Sequence, residues 1–251
     1  MAHIDFEQQV GITESGDISF DLDAFKNLRK ANIIITKRLT EELINKLVEH
    51  KDKCILHLGC TGMGGTPIEP LTPSLVKTRE MFDSLINAGF PVEQVVLRID
   101  PVVPTNKGTE TALKVIKMFK NSGITRVRYS CLDMYKHVKE RFVQHNIKPP
   151  YETFHASLHK RIAVHDILDA ACFMLDMDLE ACGEPDITSI SCISQKDIDI
   201  LGLTNEIKLD GNAGQRTNCH CPANKVEILT KHKPSRCKNK CLYCFWRDEN
   251  Q

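Results

Sequence analysis

No apolar run in this sequence approaches the roughly 18 residues that a membrane-spanning helix requires. The opening stretch, MAHIDFEQQV, has neither a basic start nor an apolar core, so it does not read as a signal peptide. There is no excess of either charge. Lys and Arg total 33, as do Asp and Glu, so no global field draws the chain to nucleic acid or to a membrane surface. Internal repeats, low-complexity tracts and linker-like stretches are also missing. These absences predict a cytoplasmic protein with no membrane partner and one α/β domain over residues 1–251. With 41% hydrophobic and 26% charged residues, the composition is that of a folded globular chain.

Cysteine is plentiful, with eleven residues. In a reducing compartment these are metal ligands, catalytic groups or buried apolar fillers rather than disulfides. Cys54, Cys131, Cys172 and Cys192 read as small buried side chains. Local charge is uneven. Residues 225–247 are strongly basic, which marks a solvated face, an attraction for an anionic substrate, or compensation for a thiolate-bound cluster.

Short β-rich runs alternate with helical periodicity. Residues 8–22 predict a hairpin that turns at Glu14–Asp17, within a lead-in covering residues 1–30. Six apolar runs then read as strands: Ile33–Thr36, Cys54–Leu58, Val95–Ile99, Arg126–Cys131, Leu179–Cys182 and Val226–Leu229. Helices are expected near 40–50, from Thr72 to Gly89 with Val76, Phe82, Leu85 and Ile86 inward, and over 110–122 and 134–145. A long helix at 152–176 would bury Leu158, Ile162, Leu168, Ala171 and Leu175. Residues 203–251 form an irregular connection followed by a cysteine-rich segment. Strands alternating with helices imply a parallel sheet, closed into a barrel or doubly wound, with its site beyond the C-terminal strand ends. Those ends are chemically loaded: Thr36-Lys37-Arg38, His57 to Thr61, Arg98 to Pro101, Tyr129 to Asp133 and Glu180 to Glu184. His155, His159 and His165 have no carboxylate motif beside them and read as surface residues.

Near the C-terminus, SRCKNKCLYCFW places Cys237, Cys241 and Cys244 at C-x3-C-x2-C spacing. Three thiols on one loop suit a soft metal. A closed zinc site needs a fourth ligand, which Cys219 or Cys221 of NCHCP, His220 or His232 would supply. An iron–sulfur cluster on three cysteines leaves one iron open for chemistry.

The stretch from Cys237 to Cys244, with Tyr243 just before the third cysteine, resembles the radical S-adenosylmethionine (SAM) motif. Together with ILHLGCTGMGGTPIEP, VVLRIDPVVP, the region around VRYSCLDMYK, LEACGEPD and NAGQRTNCHCP, it is similar to an uncharacterised prokaryotic domain family. That family carries a radical-SAM-like cysteine cluster at its C-terminus, and the similarity extends over about residues 18–246. A more distant likeness runs to spore photoproduct lyase. The resemblance implies a six-stranded, partial TIM-like barrel, circularly permuted relative to ordinary radical SAM enzymes. It implies a 4Fe–4S cluster on Cys237, Cys241 and Cys244, SAM as cosubstrate, and an external one-electron donor of flavodoxin or ferredoxin type. Reductive cleavage of SAM would yield a 5′-deoxyadenosyl radical acting on an unidentified substrate.

Carried over in the same way, Gly62, Gly64, Gly65 and Glu69 correspond to the glycine-rich SAM-binding element, with a plain glycine turn as the alternative. Arg98 and Asp100 would meet the SAM carboxylate or ribose, or else form an internal ion pair. Glu184 would bind ribose or substrate, and Tyr243 would stand beside the cofactor. Gln215 and Arg216 would order the loop near the cluster. Cys60, Cys182, Cys219 and Cys221 are the catalytic candidates. Cys219 and Cys221 would alternatively hold an auxiliary cluster, bind zinc or serve as a redox thiol. The competing function is a non-catalytic zinc- or iron–sulfur-binding module that touches nucleic acid through residues 225–247 and the aromatic Tyr243, Phe245 and Trp246. Balanced net charge makes nucleic acid the less favoured partner.

Overall fold

The computed structural model describes residues 5–215, 218–231 and 237–247. Eight strands form one sheet: β1 (Val10–Ile12), β2 (Ala31–Thr36), β3 (Cys54–Gly59), β4 (Val95–Val102), β5 (Arg126–Cys131), β6 (Asp178–Cys182), β7 (Ser189–Ile190) and β8 (Lys225–Glu227). Every ladder is parallel. The spatial order is β7-β6-β5-β4-β3-β2-β1-β8, which is chain order with the last strand moved in front of the first. The sheet is an open, curled half-barrel, since β7 and β8 are edges that do not meet.

This corrects two expectations. There are eight strands rather than six, because β1 and β7 are only three and two residues long. The hairpin at 8–22 does not form. Val10–Ile12 pairs in parallel with β2 on one side and β8 on the other. The turn residue Asp17 instead caps a short 3-10 helix at Ile18–Phe20 by accepting from the Ser19 N–H.

Alternation along each strand separates two faces. Ile34, Leu56, Leu58, Leu97, Ile99, Val127 and Ala181 face the helical layer. That layer contains α1 (Glu41–Glu49), α2 (Leu75–Asn87), α3 (Asn106–Met118) and α5 (Leu158–Phe173), which contribute Leu43, Leu85, Ile116 and Leu168 to the same core. A further connecting helix, α4 (Lys136–Gln144), packs Val138 and Phe142 against Leu242 of the cysteine loop. Thr40, Ser74 and Thr105 cap α1, α2 and α3 by accepting from backbone N–H groups three residues on. Thus α2 starts at Ser74 rather than Thr72, and its Val76 is exposed while Thr78 is buried.

The long helix is also shorter and differently phased than predicted. In α5 the buried line is Arg161, Val164, Leu168 and Cys172, with Leu158 and Ile162 exposed. Arg161 turns inward because Glu184 waits there, at 3.4 Å.

The second face of the sheet is mixed, apolar on its early strands and polar or charged on β3 to β6. Arg98, Arg126, Arg128, His57 and Glu180 stand on it. It is covered by α6 (Gln195–Ile200) and the irregular connection, whose Ile198, Ile207, Cys219 and Cys221 join one cluster with Ile33, Ile55 and Val96. Arg126 and Arg128 are almost fully buried and paired: Arg126 Nη2 to Asp197 at 2.8 Å, Arg128 Nη2 to Glu180 at 2.5 Å. Burial at this depth is tolerable only because each guanidinium meets a carboxylate. No helix among the described residues is long and apolar enough to cross a membrane.

Candidate functional site

A cavity of about 410 Å³ opens at the C-terminal ends of β2 to β5. Its floor is built by strand ends: Thr36 and Lys37 after β2, Gly59 on β3, Asp100 on β4, Ser130 on β5. This is where a parallel sheet leaves unpaired backbone and divergent loops, hence room for a ligand. One wall is the loop after β1, including Asp17. The other is the cysteine loop, and Cys237, Cys241 and Cys244 all line the cavity.

The loop is pinned from three directions. Asn239, buried within it, donates from Nδ2 to Asp17 Oδ2 at 2.9 Å. The same Asp17 carboxylate accepts from Thr36 Oγ1 at 2.6 Å and from the Lys37 N–H at 2.9 Å. Buried Arg141 of α4 donates to the carbonyls of Cys241 and Cys244, at 3.4 and 2.5 Å. The glycine-rich segment forms the third anchor: the Leu242 N–H donates to the Ile68 carbonyl at 2.9 Å, and Tyr243 donates its hydroxyl to Glu69.

Glu69 is therefore a hub. It accepts from Tyr243, from Thr72 Oγ1 at 2.9 Å and from Lys37 Nζ at 3.2 Å. Gly62, Gly64, Gly65 and Glu69 do not line the cavity; they brace the loop that does. Gly64 is required by contact, since a Cβ there would lie 1.8 Å from the Pro73 carbonyl oxygen. Gly62 has φ +77°, and a Cβ on it would also strike Thr111.

Lys37 is a cation whose charge acts on Cys237 and Cys241. Its Nζ also donates to the Asp100 carbonyl at 3.2 Å and sits 5.5 Å from the centre of the Tyr243 ring. Burial opposes its charge, but Glu69, Cys241 and Asp100 raise its pKa above the ordinary lysine value. Burial pushes the Cys237 thiol up to about 12, with the Asp17 carboxylate adding to the effect. Burial likewise raises Cys241, with Lys37 working against it. Cys244 adds to the rise of both, and Cys237 to that of Cys241. A metal would have to displace the protons that burial holds on Cys237 and Cys241. Three thiols facing one cavity beside an ammonium group are a suitable donor set for a soft metal or cluster. They are not a preassembled one: among the described residues no three His, Cys, Asp or Glu side chains are grouped to hold a metal ion.

Other candidates fall in several places. Arg98 and Asp100 both line the cavity and are tied to each other, Arg98 Nε to Asp100 Oδ2 at 2.9 Å, while Ser130 donates to the second Asp100 oxygen. Glu184 stands off the cavity, buried, accepting from the Cys131 N–H at 2.6 Å. Cys60 is buried behind the floor, its thiol pushed by burial up to about 11. Cys182, Cys219 and Cys221 lie under the second face with Cys192 and do not line the cysteine loop's cavity. Gln215 lines the cavity and lies 3.9 Å from the Cys219 sulfur; Arg216 and His232 lie outside the described residues. His165 meets the Tyr129 hydroxyl at 3.0 Å and His155 meets Asp133 at 2.8 Å, so neither is a plain surface histidine.

Within the basic stretch, Lys225 is turned inward onto Glu14 at 2.7 Å, and Phe245 and Trp246 pack edge to face. Sequence reading missed Asp17, Asn239 and Arg141. Only their partners, 222 positions away for Asp17 and about a hundred for Arg141, reveal their role.

Fold and site together define a class: a parallel α/β half-barrel carrying a three-cysteine loop on the cavity at its C-terminal rim. Residues 25–246 match the family described as Domain of unknown function (DUF1848), and the chain belongs to that family. No curated protein matches it.

Proposed function

We propose that the protein is a radical SAM-type enzyme whose 4Fe–4S cluster is held by Cys237, Cys241 and Cys244. The observation that carries this reading is the shared position of all three motif cysteines on one cavity at the C-terminal strand ends. When bound, such a cluster would supply the electron that cleaves SAM. The residues of the chain have separable tasks. Asp17 and Arg141 fix the loop, and Glu69 holds Tyr243 and Lys37 in place. Lys37 offsets negative charge accumulating on the thiolates. Arg98, Asp100 and Ser130 present polar groups to a zwitterionic ligand such as SAM, whose amino and carboxylate groups need opposite partners. Leu132, Phe245 and Trp246 supply apolar wall that excludes water from a reactive intermediate.

The test is anaerobic purification followed by iron, sulfide and zinc analysis and electron paramagnetic resonance of the reduced protein. About four irons per chain at this site, a signal that shifts on adding SAM, and loss of both in Cys241→Ala are expected. A metal-free cysteine loop, or a signal indifferent to SAM, would overturn the proposal.

A further inference from the structure

Two cysteines outside the cavity lie directly against each other. Cys182 ends β6, and Cys192 follows β7, the edge strand that pairs in parallel with β6. Both side chains are buried, and their Sγ atoms are 3.3 Å apart. Joining them in a disulfide needs the sulfurs to close by roughly 1.3 Å. The backbone around them is held. Arg128 Nη1 donates to the Cys192 carbonyl at 3.0 Å, and Ser189 Oγ accepts from the Glu184 N–H at 2.9 Å, closing the loop between the two cysteines.

The two thiols are not equivalent. Arg98 Nη1 donates to the Cys192 sulfur at 3.3 Å, while Nε and Nη2 of the same guanidinium hold Asp100 Oδ2. Hydrogen bonds from Cys182 and Cys221, with the charge of Arg98, hold Cys192 well below the usual thiol range. The bond to Cys192 and burial raise Cys182. The pair is a thiolate beside a thiol, the arrangement of a nucleophile and its resolving partner. Cys54 and Cys172, each pushed up by burial to about 12, lack this preparation. Access is narrow, since 7% of the Cys192 surface and 4% of the Cys182 surface reach solvent. That favours an oxidant close to water in size over a peptide disulfide.

We propose that Cys182 and Cys192 are a redox-active dithiol that hydrogen peroxide converts reversibly to a disulfide. The Cys192 thiolate attacks one peroxide oxygen, the O–O bond breaks, and the departing hydroxide takes a proton from solvent to become water. The Cys182 sulfur then attacks the Cys192 sulfenic acid. The S–S bond forms, the S–O bond breaks, and the Cys182 proton leaves with that oxygen as a second water. The pair gives up two electrons and the peroxide accepts them; a dithiol reductant returns them by exchange. The state of the pair is read at the cavity floor. A thiolate is an anionic acceptor for Arg98 Nη1, whereas a disulfide sulfur is neutral. Oxidation therefore removes an anionic partner from the residue that holds Asp100 in the cavity.

This inference does not depend on the radical SAM reading, and the two fail separately, because its readout needs neither cluster nor SAM. Full-length protein purified anaerobically is treated with hydrogen peroxide in the presence of an iron chelator. It is then mapped by mass spectrometry after cleavage at Glu184, which separates the two cysteines. A linked Cys182–Cys192 peptide pair is expected, returned to thiols by dithiothreitol, while Cys54 and Cys172 stay reduced. In Cys182→Ser the Cys192 sulfenic acid loses its resolving partner and should be trapped by dimedone; in Cys192→Ser, Cys182 should remain a thiol. Arg98→Gln should slow disulfide formation several-fold. Should a variant not fold, mapping of the parent protein decides. The proposal is overturned if Cys182 and Cys192 remain thiols after Cys54 or Cys172 has oxidised, if Cys192 of the parent links to Cys221 instead, or if dimedone labels Cys182 in place of Cys192.

Discussion

A single buried carboxylate, Asp17, ties the start of the chain to its cysteine loop. It satisfies a hydroxyl, two backbone N–H groups and the Asn239 amide at once. Asp17→Ala strands several of these donors, each worth about 1–3 kcal/mol when left buried and unpaired. Urea denaturation should show a loss of roughly 3 kcal/mol or more, whereas Tyr243→Phe, which removes one bond from Glu69, should cost about 1 kcal/mol. Glu184 gives a pH signature. Burial raises its pKa above the usual 4.5, so the folded state binds a proton more tightly than the unfolded chain. Its contribution is complete below the ordinary value and is lost as pH climbs through the raised one. Melting temperatures of Glu184→Gln should fall less than those of the parent over that rise. At this scale the sequence picked out residues that the structure brings to one cavity, namely the three loop cysteines, Lys37, Arg98 and Asp100. It did not show Asp17, Asn239 and Arg141, because a buried hydrogen bond is a property of two residues and their spacing in sequence says nothing of it.

Among the elements, α5 shows how tertiary partners override periodicity. Its apolar residues alone trace a face through Leu158 and Ile162, but the buried face runs through Arg161 and Leu168. Leu168→Ala should therefore cost about 2–5 kcal/mol, and Ile162→Ala should stay within about 0.5 kcal/mol; thermal unfolding of the two variants compares them directly. The strands of ordinary length were legible from their β-branched runs. Ser189–Ile190 was not, being too brief to show a period, and Val10–Ile12 was legible as extended chain but given a hairpin partner instead of its parallel neighbours β2 and β8.

For the molecule as a whole, the alternation of strand and helix made the parallel α/β sheet legible, as did the loaded rim. The strand count and the charged lining of the second face were not. Arg126 and Arg128 read as ordinary strand residues until Asp197 and Glu180, 71 and 52 positions away, complete their pairs. Removing Asp197 leaves buried Arg126 with only the longer contact to Glu180 at 3.6 Å. Asp197→Ala should lower stability by about 3–5 kcal/mol, read from chemical denaturation.

The bond between Asp17 and Asn239 joins residues 222 positions apart. A ribosome adding about 5–20 residues per second needs roughly 10–45 s to pass from one to the other. Once β5 is made, the rim can form without its cysteine wall, while the loop thiols are still unmade. If the loop holds the proposed cluster, loading would follow the sheet, and cells starved of iron would accumulate a folded, unloaded protein rather than an unfolded one.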